Sequence, residues 1–336
     1  MPVAPDYTFP STCVHLMFTI EPICGAPATM ASVTGDRSDA VRVSVVIPTY
    51  NAASLLPQQL EALAAQSTTE PFEVLVADNG STDDLAAVVE HWRTRTPYAL
   101  RRVDASGRQG VAHARNTGVA ASDAEIVLVC DADDAVHEGW VDGHLAVLAS
   151  ADLSGGYLDI APLNPGPERW WRGQTPLTED WTLPVDSGFL PYATGANFGA
   201  HRTVIESLGG WDEDMDGQGG EDLEFSWRAQ LRGFTLAAAP GAVVSYRLRR
   251  GLRATARQQY RYAASCQHLW ERFAADGYRP PPLSQPLTEL WGSLLHVHHL
   301  VRGELPRGWW VLHAAFSCGT LVAIVRYRLG RRRRTR

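Results

Sequence analysis

The stretch Val43-Ser-Val-Val-Ile-Pro-Thr-Tyr-Asn51 decides the fold class. Its β-branched run predicts a strand over Val43 to Ile47 that is buried on both faces, as in the centre of a parallel sheet. The polar turn after Pro48 leads into Ser54 to Ala65, where leucines recur at helical spacing. A strand, a polar loop and a helix in this order form the repeating unit of an α/β protein.

Two more units follow the first. Glu73 to Ala77 is a predicted strand, and the polar loop Asp78-Asn-Gly-Ser-Thr-Asp-Asp84 and a helix come after it. A helix over Gly110 to Ala121 precedes the apolar strand Glu125 to Cys130, which ends directly in Asp131-Ala-Asp-Asp134. We therefore predict a mostly parallel central sheet flanked by helices, with its ligand site at the carboxyl ends of the strands.

Composition excludes several classes of protein. The 336 residues are 45% hydrophobic with a formal charge of -7, which indicates a globular chain that does not bind nucleic acid. The five cysteines have no disulfide or zinc spacing and favour a reducing, cytoplasmic location. Residues 1–40 are rich in Pro, Ser, Thr and Ala and are predicted to be disordered, with Met30 a candidate for the true start.

The C-terminal part differs in charge from the rest. From Arg247 onward there are 17 arginines and four acidic residues. The apolar run from Gly308 to Val325 is at the short limit for a membrane span and contains polar residues. We expect a basic helical extension over 250–336 that lies on protein or on an anionic membrane surface, so the protein could be peripheral at the inner face of the plasma membrane.

Asp131 and Asp133 are candidate metal ligands. Two carboxylates at positions i and i+2 directly after a buried strand can surround a hard cation, and Mg²⁺ or Mn²⁺ bound with a diphosphate is the natural guest. An acidic loop that is merely solvated is the alternative, because the Asp-x-Asp pattern by itself is weak.

A series of motifs places this acidic pair in a wider context. The chain closely resembles family 2 glycosyltransferases over residues 43 to about 246. The motifs that carry the resemblance are Val45-Val-Ile-Pro-Thr-Tyr-Asn51, Val76-Ala-Asp-Asn-Gly-Ser-Thr-Asp-Asp84, Gly110-Val-Ala-His-Ala-Arg-Asn-Thr-Gly118, Cys130-Asp-Ala-Asp-Asp134, Thr194-Gly-Ala-Asn-Phe198, Gly209-Gly-Trp-Asp-Glu213 and Gly219-Gly-Glu-Asp-Leu-Glu-Phe-Ser-Trp-Arg228.

The resemblance implies a GT-A domain over 41–249, with a nucleotide-binding half at 41–134 and an acceptor half at 135–249. It implies a UDP-, GDP- or dTDP-sugar donor and a carbohydrate or lipid-linked acceptor. It assigns the donor nucleotide to Pro48, Tyr50, Asn51, Asp78, Arg115 and Asp131, and the metal ion to Asp133 with Asp131. For Asp78 the alternative is a loop residue that bonds its own backbone, and for Arg115 it is a surface arginine.

The predicted catalytic base is Asp222, in the first turn of a helix that begins after Gly219-Gly220. A helix N-terminus favours an ionised carboxylate, and the glycines let a substrate come close. Glu221 is the rival, and either residue could be only a helix-start acid. The resemblance implies one displacement with inversion at the anomeric carbon.

The resemblance also places Asn197, Trp211 and Asp212 beside the acceptor, although Trp211 could equally be a core residue. Many members of the family hold the metal with a late histidine, but this chain has Tyr246-Arg247 there. Either Asp133, phosphates and water hold the metal, or Arg247 helps to neutralise the diphosphate. The rival functions are a nucleotidyltransferase, for which the glycine-rich basic loop is missing, and an inactive nucleotide-sugar-binding protein.

Overall fold

The computed structural model describes residues 41–171, 188–215 and 219–334, with side chains up to residue 330. The disorder predicted for residues 1–40 lies outside the described residues.

Four parallel strands form the N-terminal half of the sheet. They are β1 (Val43–Thr49), β2 (Phe72–Asp78), β3 (Ala99–Asp104) and β4 (Ile126–Cys130), in the spatial order β3-β2-β1-β4. The helices that connect them are α1 (Leu56–Ala64), α2 (Leu85–Arg93) and α3 (Val111–Ala120). The alternation predicted from the sequence is therefore confirmed, and the polar loops after β1, β2 and β4 open at one edge of the sheet.

The second half of the sheet is mixed. Its strands are β5 (Ala135–Val136), β6 (Leu153–Asp159), β7 (Asn197–His201) and β8 (Leu236–Ser245), and they extend the order as β4-β7-β6-β8-β5. Only β6 and β8 pair in parallel here, and the other three pairings are antiparallel. The helices between these strands are α4 (Trp140–Leu148), α5 (Arg202–Leu208) and α6 (Glu221–Leu231).

Two strands differ from the sequence prediction. β3 has no strand signal in the sequence, because this edge strand carries Arg101 and Arg102 and buries little besides Leu100. The Pro240-Gly241 pair predicts a break between two strands, Thr235 to Ala239 and Ala242 to Tyr246, yet β8 is one strand. Its pairing with β6 shifts register between Gly156 and Tyr157, so the Pro-Gly pair is accommodated as a bulge.

The core lies on both faces of the sheet. Val45 and Ile47 of β1 pack in one buried cluster with α1 and α4, while Val46 packs in another with Phe198 and Phe225. Since successive side chains of a strand point to opposite faces, only a continuous apolar run fills both clusters.

A layer of helices follows the sheet, made of α7 (Leu252–Arg272), α8 (Ser284–Leu295) and α9 (Glu304–Arg334). Trp227 of α6 packs with Leu269 and Phe273, so this layer shares a core with the sheet domain. In the part of the chain that is described, one segment, Glu304–Gly330 of α9, is long and apolar enough to cross a membrane, and a third of its apolar window is buried. The core helix of a protein without a membrane span can have the same length and composition.

Candidate active site

An acidic cluster follows β4. One carboxylate oxygen from each of Asp131, Asp133 and Asp134 lies within 4.8 Å of the others. Asp134 is almost fully buried, and its Oδ1 accepts a hydrogen bond from the backbone N–H of Arg247 at 2.7 Å. Its Oδ2 is also buried but has no hydrogen-bond partner. An unpaired carboxylate oxygen inside a protein is costly, so this atom needs a ligand or a proton.

The electrostatics of the cluster match a divalent cation. Burial raises the pKa of Asp131 to about 6, although the Arg115 guanidinium opposes this rise. Burial and then the Asp131 charge raise the pKa of Asp134 to about 9. Neighbouring carboxylates in a partly desolvated site repel one another, and they become ionised when a hard cation binds. Mg²⁺ and Mn²⁺ prefer such oxygen ligands. The donor set therefore fits such an ion.

Arg247 lies beside this cluster. Its Nε donates to the carbonyl oxygen of Asp133 at 2.7 Å, and its Nη2 donates to Gln58 Oε1 at 2.8 Å. The guanidinium is thus held next to the acidic loop, which is the position that our second alternative for Arg247 requires.

Arg115 of α3 connects the acidic cluster to the start of α6. Its Nη1 donates to Glu221 Oε1 at 3.0 Å, and its Nη2 lies 3.9 Å from Asp131 Oδ1. Burial by itself would lower the pKa of Arg115, but the carboxylates of Glu221, Asp131 and Asp222 outweigh burial and raise it. Arg115 is 3% exposed, so the surface-arginine alternative is wrong.

The loop that contains Gly195 packs closely against the Arg115 guanidinium. A Cβ atom on Gly195 would overlap the guanidinium, so a larger residue there would displace it. The guanidinium carbon lies 5.9 Å from the centroid of the Trp211 ring, which adds a cation–π contact.

Asp222 lies next to this ion pair. The helix begins after Gly219 and Gly220, whose φ angles of 87° and 93° favour glycine. The Asp222 carboxylate accepts hydrogen bonds from the backbone N–H groups of Leu223 at 2.9 Å and Gly195 at 3.4 Å. Burial and then the charge of Glu221 raise the pKa of Asp222 to about 7, so they outweigh the helix N-terminus that we expected to favour ionisation.

The predicted nucleotide residues lie on two loops that are bonded to each other. Asn51, with a φ of 50°, accepts a hydrogen bond from the Thr82 N–H at 2.7 Å, and its own N–H donates to Ser81 Oγ at 3.0 Å. The Asp78 carboxylate is buried and accepts from the Ser81 N–H and from Arg102 Nη1, each at 2.8 Å. Asp78 therefore bonds the backbone of its own loop, as the alternative to nucleotide binding predicts, and it also forms an ion pair with Arg102.

The remaining two nucleotide candidates follow from the strand register. Pro48 pairs with Ala77 across β1 and β2, which places it one position from Asp78. Tyr50 is 55% exposed just beyond the strand end. The edge of the sheet thus brings Pro48, Tyr50, Asn51 and Asp78 together.

The residues predicted to contact the acceptor occupy different environments. Asn197 is fully buried, and its Oδ1 accepts from Trp140 Nε1 at 2.7 Å while its Nδ2 donates to the carbonyl oxygens of Tyr157 and Ala242. Trp211 is buried too and stacks on Phe225 with ring centroids 4.6 Å apart. Both side chains are therefore part of the interior packing, which is the environment of the core alternative for Trp211, and their contact with an acceptor stays a prediction.

Asp212, the third of these residues, is partly exposed and accepts from Arg272 Nη1 at 2.6 Å. Two other features escaped the sequence analysis. Asp134 was not selected as a ligand although it completes the Asp-Ala-Asp-Asp motif. The buried bond between His144 Nε2 and Asn197 Oδ1, 2.9 Å long, has no local sequence signal.

Residues 44–209 match the family model described as glycosyl transferase family 2. The chain is 32% identical over 235 residues to a validoxylamine A glucosyltransferase from Streptomyces hygroscopicus subsp. jinggangensis, covering 61% of this chain and 55% of that protein. It is 28% identical over 228 residues to a chondroitin synthase from Pasteurella multocida, covering 57% and 23% of the two chains. The chain thus spans about half the length, or less, of these curated relatives.

The structure is similar to that of a mannosyltransferase from Pyrobaculum calidifontis, solved in complex with GDP-Man and Mn²⁺. The TM-score is 0.60 at 21% identity, and the match covers 90% of this chain and 91% of that one. The GT-A fold expected from the motifs is therefore confirmed. The chain belongs to glycosyl transferase family 2.

Proposed function

We propose that the protein transfers a sugar from a nucleoside diphosphate sugar to an acceptor hydroxyl, with the help of a divalent cation and with inversion of the anomeric carbon. The contacts of Arg115 carry this proposal. Its buried guanidinium holds the acidic loop after β4 and the acidic start of α6 on either side of one point, 3.9 Å from Asp131 and 3.0 Å from Glu221. Sugar transfer needs a metal-binding loop for the diphosphate and a carboxylate base for the acceptor, and the two must lie close together.

For the donor, we assign the nucleotide to the loops after β1 and β2. The Asp78 carboxylate has acceptor capacity beyond its bonds to Ser81 and Arg102, because each oxygen has two lone pairs. Such a carboxylate can accept hydrogen bonds from a base. The structurally similar mannosyltransferase was solved with GDP-Man, which supports a donor of this class. We propose a UDP-, GDP- or dTDP-sugar as the donor.

For the cation, we assign Asp131, Asp133 and the buried Asp134, with Mg²⁺ or Mn²⁺ as the ion. When bound, such an ion would neutralise charge on the diphosphate, which makes it a better leaving group. Arg247, held against the carbonyl of Asp133, adds a fixed positive charge to the same loop. A positively charged side chain that is already in place stabilises the negative charge that develops on the leaving diphosphate, and it does so without reorganisation.

For the base, we assign Asp222 in preference to Glu221. The Glu221 carboxylate is held by Arg115, whereas the hydrogen-bond donors to Asp222 are backbone N–H groups. A base works best when its pKa is near the working pH, and burial raises the pKa of Asp222 to about 7.

The proposed reaction is a single displacement. The acceptor oxygen attacks the anomeric carbon and transfers its proton to the Asp222 carboxylate. The bond from the anomeric carbon to the phosphate oxygen breaks, and its electron pair leaves with the nucleoside diphosphate. Attack from the side opposite to the leaving group inverts the anomeric carbon, and no carboxylate needs to act as a nucleophile.

For the acceptor, we propose a carbohydrate or a lipid-linked glycan in cell-envelope, polysaccharide or glycolipid synthesis, in the cytoplasm. Of the three residues first assigned to it, we retain Asp212, which is partly exposed and paired with Arg272. Relatives named as a validoxylamine A glucosyltransferase and a chondroitin synthase support sugar transfer in general terms.

The test is a thermal-shift and calorimetry screen of UDP-, GDP- and dTDP-sugars with and without Mn²⁺. We expect one nucleotide to raise the melting temperature, and more so when Mn²⁺ is present. The matched control is Asp133→Asn, for which the Mn²⁺-dependent part of the shift should disappear. A folded protein that binds none of the donors would contradict the proposal and favour an inactive relative of the family.

A further inference from the structure

Helix α8 presents an apolar face to the solvent. Leu287, Trp291, Leu294 and Leu295 share one side of the helix at spacings of four, three and one, and they are between 48% and 63% exposed. The other exposed residues of α8 are Ser284 and Thr288, so no charged side chain is exposed along this helix.

The inward face of α8 includes polar groups that bond to α9. Ser293 is buried, and its carbonyl oxygen accepts from Trp310 Nε1 at 2.7 Å. Glu289 Oε2 accepts from Ser317 Oγ of α9 at 2.7 Å. A surface helix of a protein in water normally has the opposite arrangement, with its apolar stripe against the core. The outward face of α8 is therefore suited to an apolar surrounding.

The same apolar character continues after α8. Val297, Val301 and Leu305 are 51%, 86% and 48% exposed, and they extend the series of exposed apolar residues to the start of α9. Single exposed apolar residues are ordinary on a protein surface, but a series of seven along one segment indicates a binding surface. We call these seven residues, 287, 291, 294, 295, 297, 301 and 305, the apolar strip.

Basic residues accompany the apolar strip. Arg302 and Arg307 are exposed on either side of Leu305, and Arg326 and Arg328 are exposed further along α9. The segment from Arg247 to the end has 17 arginines and four acidic residues in an otherwise acidic chain. The arginines lie after α8 and on α9, while the exposed leucines and tryptophan lie on α8. Together they form the kind of surface, apolar side chains next to arginines, that suits the interface of an anionic bilayer.

We propose that the apolar strip docks on the surface of an anionic lipid bilayer. Trp291, Leu294 and Leu295 enter the boundary between headgroups and acyl chains, while Arg302 and Arg307 contact lipid phosphates. The arginine excess around the strip favours a lipid surface over a second copy of the chain, which would bring like charges together. The proposal does not depend on sugar transfer, and it assigns the membrane contact to α8 and not to the apolar run of α9, whose residues Trp310 and Ser317 bond to α8.

The experiment is flotation of the full chain with vesicles, at low and at moderate salt. One set contains phosphatidylcholine alone, and the other contains phosphatidylcholine with phosphatidylglycerol. We expect binding to the anionic vesicles, and the combined substitutions Trp291→Ser, Leu294→Ser and Leu295→Ser should weaken it by about tenfold or more, since they remove most of the inserted apolar area. The matched control is Leu231→Ser on α6, also an exposed leucine at 45%, which should bind as the parent protein does.

A second variant tests the charged part. Arg302→Gln with Arg307→Gln should weaken binding to the anionic vesicles and make the remaining binding less sensitive to salt. Melting temperatures of all variants should match that of the parent, because the substituted side chains are exposed. Equal binding of the triple variant, or no binding of the parent protein to either set, would overturn the proposal. A parent dimer in analytical ultracentrifugation that the triple variant converts to monomer, without vesicle binding, would assign the strip to self-association instead.

Discussion

The Arg115 guanidinium donates a hydrogen bond to Glu221 Oε1 at 3.0 Å, although the two residues are 106 positions apart in the chain. The same guanidinium reaches Asp131 at 3.9 Å. The buried Arg115 guanidinium thus holds the acidic loop after β4, which we assign to the metal and the diphosphate, next to the start of α6, which we assign to the base. It also separates the roles of Glu221 and Asp222, since only the first is committed to an ion pair with it.

The first prediction concerns the base. Asp222→Asn keeps the size of the side chain but cannot accept a proton, so kcat should fall by about 10²- to 10⁴-fold while donor binding stays close to that of the parent enzyme. Turnover measured as nucleoside diphosphate release, together with calorimetry of donor binding, checks this.

The matched variant is Glu221→Gln. Because it loosens Arg115 without removing the proposed base, it should affect kcat less than Asp222→Asn does. Full turnover in Asp222→Asn with donor still bound would disprove the assignment, and Glu221 would become the candidate.

The second prediction concerns Arg115. Arg115→Met keeps the length of the side chain and leaves Glu221 and Asp131 without their shared cation. Removing one partner from a buried ion pair costs about 3–5 kcal/mol, so the melting temperature should fall along with kcat/KM. Replacing Glu221 by Gln in the Arg115→Met background should recover part of the stability, as a double-mutant cycle can measure. Purely additive losses would show that the two residues are not coupled.

The third prediction is the pH dependence. The ionised form of Asp222 is the one that accepts the proton, and the pKa of this group is raised to about 7. Activity should therefore be lost as pH falls through 7, with kcat/KM decreasing by about tenfold per pH unit on the acid side. A profile of kcat/KM against pH measures this, and the residual activity of Asp222→Asn should lack the acid limb. An unchanged limb in that variant would assign the titration to another group.

The fourth prediction concerns the acidic cluster. Asp134→Asn removes the buried oxygen that has no hydrogen-bond partner, and it should weaken Mn²⁺ binding in the presence of nucleoside diphosphate by about 10- to 100-fold. Calorimetric titration of Mn²⁺ measures this directly. The control is Asp123→Asn, an exposed carboxylate before β4, which should bind Mn²⁺ as the parent protein does. Equal Mn²⁺ affinity in both variants would exclude Asp134 from the site.

The fifth prediction concerns the contact between α7 and α9. A Cβ atom on Gly319 would overlap the carbonyl oxygen of Tyr260 and approach Ala263, and backbone atoms cannot move aside without separating the helices. Gly319→Ala should lower the free energy of unfolding by about 1–3 kcal/mol, despite the better helix propensity of alanine. Urea denaturation measures this, with Gly139→Ala as the control, because its nearest neighbour would be 3.9 Å away. A stabilised Gly319→Ala protein would contradict the close packing.

Much of the fold could be predicted because local patterns specify it. The largely apolar runs of β1 and β4 need burial on two faces, and α6 begins at Glu221, directly after the glycine pair that predicted its start. By contrast, β3 forms because it pairs with β2. Its own sequence contains two arginines and has no strand pattern, so it could not be predicted. Strand pairing is a property of the neighbours, and periodicity within one segment does not contain it.

By itself the sequence determined the family, the strand and helix alternation around β1, β2 and β4, and the chemical types of Asp131, Asp133 and Asp222. The tertiary structure alone decided which polar residues are paired inside the core and which are buried with an unpaired atom at the candidate site. Asn197 bonds Trp140 and two backbone carbonyls inside the protein, while Asp134 is buried with one oxygen unpaired. The physical reason is that desolvation and hydrogen-bond pairing depend on distant parts of the chain, which converge at one point only when the sheet and its helices have packed.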